Sequence, residues 1–327
     1  MKLIICKQFG ELKMKKLFAL FVAVLFLSGY VFAQDNEAHI TQVGTNTANV
    51  DQTGSVGGNE ATVNQYGTNI GDVKQSGVGS NVATIKQGSG GTPVNNGHQA
   101  AYAGDWQDGA FITQNGESND ASITMAGANE GRSTGTIKQV GNSNTGSQNI
   151  GTPYSEMSGA HAGVKMTQIG DNNSSTQKTT YAYGVAGIKD MTVNQQGNGN
   201  SADQKSIAGY GSVLSVSQKG DNNISDQYQA QIGGFAKTTV VGNSNNTSQH
   251  QDDPNHNGHV GFNEGTININ GDSNIATEWQ VGRDNQATIN VNSSNLNEAH
   301  IKQTNDTNVA TISQSGAGGN YANINQH

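Results

Sequence analysis

The 327-residue chain has a single cysteine, Cys6. It lies ahead of a segment read below as a removable leader, so the mature chain has no thiol and forms no disulfide. Stability must then come from backbone and side-chain hydrogen bonds. Hydrophobic residues make up only 32% of the chain and aromatics 6%, while 44 residues are glycine. That is too little apolar bulk for an ordinary globular core. There is no basic patch to displace counterions from phosphate, which argues against a nucleic-acid partner. Apart from Asp252 and Asp253 the acidic residues are scattered singly, and no nucleophile elbow occurs, so the sequence points away from an enzyme and implies no cofactor. The Gly-Gly-x-Gly-x-Asp phrase of calcium-binding solenoids is also absent.

Near the N-terminus, Lys15 and Lys16 precede an apolar run from Leu17 to Tyr30, closed by Val31, Phe32 and Ala33. This is the pattern of a secretory signal that starts at Met14 and is cut before Gln34. Residues 1–33 are therefore expected to be a signal peptide and residues 34–327 the mature chain. The apolar run is only about 15 residues, short of the roughly 20 that a spanning helix needs, so no stable membrane insertion is expected. Removing the leader takes five Lys and one Glu from 17 basic and 25 acidic residues, leaving 12 against 24, a net charge of −12.

What the chain does have is a recurring phrase: a small residue, a β-branched residue and a glutamine on alternate positions, then glycine, then asparagine. It reads AHITQVGTN from Ala38, ATVNQYGTN from Ala61, ATIKQ from Ala83, TGTIKQVGNSN from Thr134 and ATISQSGAGGN from Ala310. Low hydrophobicity alone would suggest disorder, but a disordered chain has no reason to hold Ile or Val two positions before so many glutamines. One supersecondary unit stacked many times is the simpler reading.

Alternation sets the faces. Ala38, Ile40 and Gln42 share one parity on a strand while His39 and Thr41 point the other way, and the same split recurs at Ala48, Val50 and Gln52 and at Ala299, Ile301 and Gln303. The repetitive parity is expected inside. After the strands come Gly44, Gly67, Gly77, Gly116, Gly141, Gly170, Gly197, Gly220, Gly271, Gly282 and Gly316. These can take positive φ, and the asparagine that follows tolerates the left-handed region and bonds its own backbone. The fold expected is all-β, a β-solenoid of about eleven strand-turn-strand rungs stacked at ~4.8 Å.

Buried amides are costly alone but satisfied when each donates to one copy and accepts from another along a stack. The expected ladder glutamines are Gln42, Gln52, Gln65, Gln75, Gln87, Gln114, Gln139, Gln168, Gln195, Gln218, Gln280, Gln303, Gln314 and Gln326. The expected asparagines are Asn46, Asn69, Asn81, Asn119, Asn144, Asn173, Asn200, Asn223, Asn274, Asn308 and Asn320. Met125, Val240, Ile269 and Val291 stand in slots where glutamine is replaced. Residues 88–109, with Pro93, Tyr102 and Trp106, read as a loop insertion. From about 139 to 269 the turns after Gln148, Gln177, Gln204, Gln227 and Gln249 lengthen, so the middle rungs are expected to be wider. Tyr154, Tyr181, Tyr183, Tyr210, Tyr228, Phe235 and Phe262 lie in that region, either as an aromatic column on one edge or as filling for the wider rungs. His250, His256 and His259 with Asp252 and Asp253 match no regular zinc spacing and read as a solvated turn, so no metal site is expected.

The spacing of Gln303, Asn308, Ala310 and Gln314 resembles the curlin repeat of bacterial curli fibre subunits, and the resemblance covers nearly all of the mature chain. The chain departs from it in length, in its widened middle and in the replaced glutamines. The resemblance implies a secreted, amyloid-forming subunit that leaves the periplasm through an outer-membrane secretion pore with export accessory proteins. It would then polymerise with itself or related subunits into extracellular fibres for adhesion and biofilm matrix. No polar cap is evident at the first repeat or at the last strand, Tyr321 to Gln326, so the end rungs are expected to template a neighbour head to tail. Outward charges such as Asp51, Lys74, Lys86, Lys138 and Lys302 would discourage sideways clumping. The alternative is a non-polymerising solenoid adhesin or a carbohydrate- or ice-binding protein. That alternative needs a flat, regular outward face, whereas His39, Asn64, Lys74 and Lys86 differ.

Overall fold

The computed structural model describes residues 36–53, 58–77, 80–88, 94–95, 109–126, 132–151, 161–180, 188–207, 212–230, 233–253, 262–292, 295–316 and 318–327. The proposed leader, most of the 88–109 insertion, and Tyr154, Tyr181, Tyr183, Tyr210, His256 and His259 lie outside them. The elements are strands, in chain order β1 (Glu37–Thr53), β2 (Glu60–Ser76), β3 (Val82–Gln87), β4 (Val94–Asn95), β5 (Gly109–Asn115), β6 (Asp120–Ala126), β7 (Arg132–Val140) and β8 (Thr145–Gly151). Next come β9 (His161–Ile169), β10 (Ser174–Thr180), β11 (Ile188–Gln196), β12 (Ser201–Ile207), β13 (Ser212–Lys219), β14 (Ile224–Ala230) and β15 (Gly234–Val241). The last are β16 (Asn246–Asp252), β17 (Asn263–Asn270), β18 (Ile275–Val281), β19 (Gln286–Asn292), β20 (Glu298–Thr304), β21 (Val309–Ser315) and β22 (Tyr321–Gln326).

Pairing is parallel and in register throughout, and it sorts the strands into two columns. In the first, β1 pairs β2, β2 pairs β3, and the series continues through β6, β8, β10, β12, β14, β16, β18 and β20 to β22. In the second, the later halves of β1 and β2 lead to β5, then to every odd strand from β7 to β21. The molecule is a β-solenoid. Nine rungs, from β3 with β5 to β20 with β21, are built of two separate strands, β1 and β2 each run through both halves of a rung, and β22 opens a further one.

The repetitive parity is the inside, because alternation forces one face of each strand toward the facing column. Val63, Val73, Ile85, Ile112, Ile123 and Ile137 are at most 1% exposed. So are Gln65, Gln75, Gln87, Gln114 and Gln139. The core is not continuous. One apolar cluster runs from Ala61 to Ala236, a second from Val240 to Ile312, and buried Gln227, Gln229, Thr238, Gln249 and Gln251 lie between them. In the middle rungs β9 and β11 extend to nine residues and pair along their whole lengths, adding width where the connections also lengthen.

The tight corners keep the hydrogen-bond ladder unbroken. At the corner between β9 and β10, Gly170 N donates to Val140 O at 2.9 Å and Asn172 N to Asn142 O at 2.9 Å. Gly170 has φ +113° and Asn172 φ +57°. The left-handed side chain is thus the residue before the ladder asparagine, here Asn172 before Asn173, and in other corners Ser118, Ser143, Asn222, Ser244 and Ser273. This corrects the expectation that the ladder asparagine itself turns left-handed. Gly242, which follows Val241 rather than a glutamine phrase, completes the same corner series with φ +133°.

A Cβ at Gly170 would collide with the carbonyl oxygen of Gly197 in the next corner, whereas at Gly316, φ +98°, it would meet nothing within 4 Å. Gly170→Ala therefore adds a backbone clash to the left-handed strain of about 1–3 kcal/mol that both positions share. The expected outcome in denaturant unfolding is a clearly larger loss of stability for Gly170→Ala than for Gly316→Ala; equal losses would contradict carbonyl-on-glycine stacking at the corners.

Candidate functional site: amide ladders and open edges

Three glutamine columns line the interior. In the second strand column, Gln52, Gln75, Gln114, Gln139, Gln168, Gln195 and Gln218 form one unbroken chain. Each Nε2 donates to the Oε1 of the next rung at 2.8–3.0 Å. In the first column Gln42 donates to Gln65 at 2.9 Å and Gln65 to Gln87 at 2.7 Å, and Gln87 ends on the Met125 sulfur at 3.7 Å. The same slot resumes with Gln229, Gln251, Gln280, Gln303 and Gln326, again at 2.8–3.0 Å. Gln314 stands apart from these chains. Val291 precedes it in register and cannot donate, so its Oε1 is buried without a partner while Nε2 bonds Glu298 O at 3.0 Å.

A third chain occupies the slot where the repeat phrase places Ile or Val. Gln148, Gln177, Gln204, Gln227 and Gln249 donate in series at 2.7–2.8 Å and end on Glu278 Oε2. These glutamines were read from the sequence only as markers of lengthened turns. In the wider rungs the amide sits one inward position earlier than in the phrase, so a search anchored on the phrase passes over it.

The asparagines divide between the two edges of the stack. At the edge leading into the first column, Asn81, Asn119, Asn144, Asn173, Asn200, Asn223, Asn274 and Asn320 form one column with Asn36, Asn59, Asn245 and Asn297, which the phrase had not singled out. Each grips its neighbours on both sides. Asn173, for example, donates from both N and Nδ2 to Asn144 Oδ1, and from Nδ2 to Gly197 O at 2.7 Å. These bonds run to neighbouring rungs and not to the residue's own turn, which is the second correction at the corners. At the opposite edge Asn69 donates to Asn46 and Asn308 to Asn285, both at 3.1 Å, and here Asn46 and Asn69 do also bond their own turns, at Val43 O and Tyr66 O. Of the turn glycines, Gly44, Gly116, Gly141, Gly197, Gly220, Gly271 and Gly282 share the positive φ of Gly170, and Gly67 lies in register with Gly44.

The two kinds of ladder point in opposite senses. Between like side chains, glutamine Nε2 donates to Oε1 of the later rung and asparagine Nδ2 to Oδ1 of the earlier one, while the second Nδ2 proton reaches a glycine carbonyl of the later corner. Among the described residues β1 pairs only with β2 and β22 only with β20, so both ends of the stack carry open strand edges. There Ile40, Val309 and Tyr321 are 47%, 64% and 64% exposed.

Outside, Tyr228, His250 and Trp279 stack face to face on consecutive rungs, with centroids 4.6 and 3.9 Å apart and planes within 12°. Lys205 Nζ lies 5.3 Å from the Tyr228 ring. Burial lowers the His250 pKa, partly countered by the Asp252 charge. Of the aromatic series read from the sequence, Tyr228 lies in this stack, Phe235 is on β15 and Phe262 just before β17 in the second column, and the other four lie outside the described residues. Beside it Asp203 and Asp226 lie in register, and burial raises both carboxyls, with the Asp203 charge raising Asp226 further. Asp253 pairs with Arg283 at 3.2 Å. Among the described residues no group of three or more His, Cys, Asp or Glu could hold a metal ion, and no helix is long and apolar enough to cross a membrane.

Gln168→Met keeps the volume of its slot but leaves Gln195 Oε1 without its donor. A loss of about 1–3 kcal/mol is expected in equilibrium unfolding, against less than half of that for Gln42→Met in the half-exposed first rung. Similar losses at both sites would mean that the interior ladder contributes little.

No protein-family model and no curated protein matches the chain, so the resemblance to curlin repeats rests on the repeat phrase alone.

Proposed function

We propose that the mature chain is a secreted structural subunit that assembles head to tail into curli-like extracellular amyloid fibres for adhesion and biofilm matrix. In this proposal export runs through an outer-membrane pore with accessory proteins, and the main partner is a second copy of the chain or a related subunit. The observation that carries the proposal is the pair of open rungs, which repeat the interior phrase and have complementary ladder ends. Among the described residues no earlier rung donates to Gln42 or Gln52, and no later rung accepts from Gln314 or Gln326. The corner asparagine column, from Asn36 to Asn320, runs in the other sense. A copy placed first rung on last rung would continue every ladder in its own sense, whereas first rung on first rung would set acceptor against acceptor.

A non-polymerising solenoid that binds a carbohydrate or ice surface is the competing proposal, and one feature favours it. On the outer face of the second column, Thr266, Thr288 and Thr311 lie in register beside Asn268, Asn290 and Ser313. Asn268 donates to Asn290 at 2.9 Å. This is a regular patch, but it spans only three rungs.

Incubating residues 34–327 with and without preformed fibre seeds separates the two. Fibre formation should follow a lag that seeds abolish, read by thioflavin fluorescence and electron microscopy. Ile312→Pro or Ile324→Pro, which removes a ladder donor and fixes φ in an edge strand, should slow seeded elongation at least tenfold. A chain that stays monomeric with seeds present would sink the fibre proposal, and normal elongation of both proline variants would sink the templating edge.

A further inference from the structure

Glu278 is the one acidic side chain on an inward slot of the described interior whose charge nothing balances. It is 1% exposed, and it occupies the final place in the central chain from Gln148 to Gln249. Gln249 Nε2 donates to its Oε2 at 2.8 Å, and the next residue in that slot, Ile301, can neither accept nor donate. Like a further glutamine, a carboxyl here can accept from Gln249 but finds no side-chain acceptor beyond; the neutral acid leaves one proton to place where a glutamine would leave two. Its other oxygen, Oε1, is buried without a partner. The cavity is made by Gly265, where a Cβ would stand 2.6 Å from Glu278 Oε2 and 3.2 Å from Gln249 Nε2.

The surroundings offer no counter-charge. The inward residues facing Glu278 are Thr247, Gln249 and Gln251 on β16, Gly265 and Ile267 on β17, Ala287 and Ile289 on β19, and Ala299, Ile301 and Gln303 on β20. None can ionise, so a charged carboxylate here would be buried, unpaired and expensive. Burial pushes its pKa up to about 8, outweighing the opposing effects of Gln249 and of the Thr266 and Ile289 backbone. The position matters as much as the environment, because the two apolar clusters of the core are separated just here by the amides and Thr238. Across that seam, inside the stack, the rungs are joined by hydrogen bonds and not by a continuous apolar core.

We propose that protonated Glu278 is the clasp of this polar seam, and that its ionisation parts the stack first between β16 and β18. The direction with pH follows from the proton balance. Below the ordinary carboxyl range both folded and unfolded chains hold the proton and the full stability is present. As pH rises the unfolded chain loses the proton while the folded one keeps it, so stability falls until the folded carboxyl itself ionises near pH 8. Within that window the folding constant drops about tenfold per pH unit. Asp203 and Asp226, raised on the outer face, act in the same sense and His250 in the opposite one, so the diagnostic quantity is the difference between wild type and variant.

The test uses residues 34–327 and the variants Glu278→Gln and Glu278→Ile, the second copying Ile301 and Ile324 of the same slot. Folding constants from denaturant curves between pH 5 and 9 should fall more steeply for wild type, with the ratio to either variant changing about tenfold per unit up to about pH 8. Hydrogen exchange of wild type, corrected for intrinsic base catalysis, should show residues 246–281 opening first at pH 9 but not at pH 6. A variant with the wild-type pH slope overturns the clasp. Should neither variant fold, the exchange map alone decides, and first opening elsewhere in the stack overturns it equally.

Discussion

The whole structure depends on one interaction: a side-chain amide that donates to one neighbouring rung and accepts from the other. A buried amide without partners costs a few kcal/mol, and a chain with so little apolar bulk cannot bear many of them. Parallel, in-register stacking removes the cost by giving each amide an identical neighbour at the strand spacing. The same condition explains the corners. Asparagine at the start of each first-column strand ties three successive corners together, and the left-handed residue before it aims the side chain along the axis.

Much of this was legible in the chain. The parity of Ala, Ile and Gln identified the inside, and the spacing of glycine and asparagine identified the corners. The replaced slots at Met125, Val240, Ile269 and Val291 lie where glutamine columns are interrupted. What was not legible came from variation between rungs. On β8, β10, β12, β14 and β16 an amide stands in the second inward slot, where the phrase has Ile or Val, so Gln148 to Gln249 do not look like the phrase. Gly242 and Asn245 escaped because Val240 stands where a glutamine would have drawn attention to them. The stack of Tyr228, His250 and Trp279 could not be read at all, since three different residue types more than twenty positions apart share a column only when the register of β14, β16 and β18 is known.

The middle of the molecule differs in kind from its ends. Early rungs carry Val or Ile beside one glutamine on each strand, as at Val63 with Gln65 and Val73 with Gln75, while on β14 and β16 two successive inward positions are glutamines and Thr238 bonds two of them. Apolar packing tolerates small shifts; an amide column does not, because every donor must meet its acceptor. The centre thus fixes register more strictly than the flanks, and the external ring stack and the Asp253–Arg283 pair brace the same rungs from outside.

The opposed senses of the glutamine and asparagine columns have an electrostatic result. In an α-helix the peptide dipoles add, so its ends acquire partial charges. Here the amide dipoles of the inner columns point one way along the axis and those of the corner columns the other, while parallel strands contribute little net moment of their own. Being opposed in sense, the two sets of columns offset part of each other's moment along the axis, where columns all of one sense would have added.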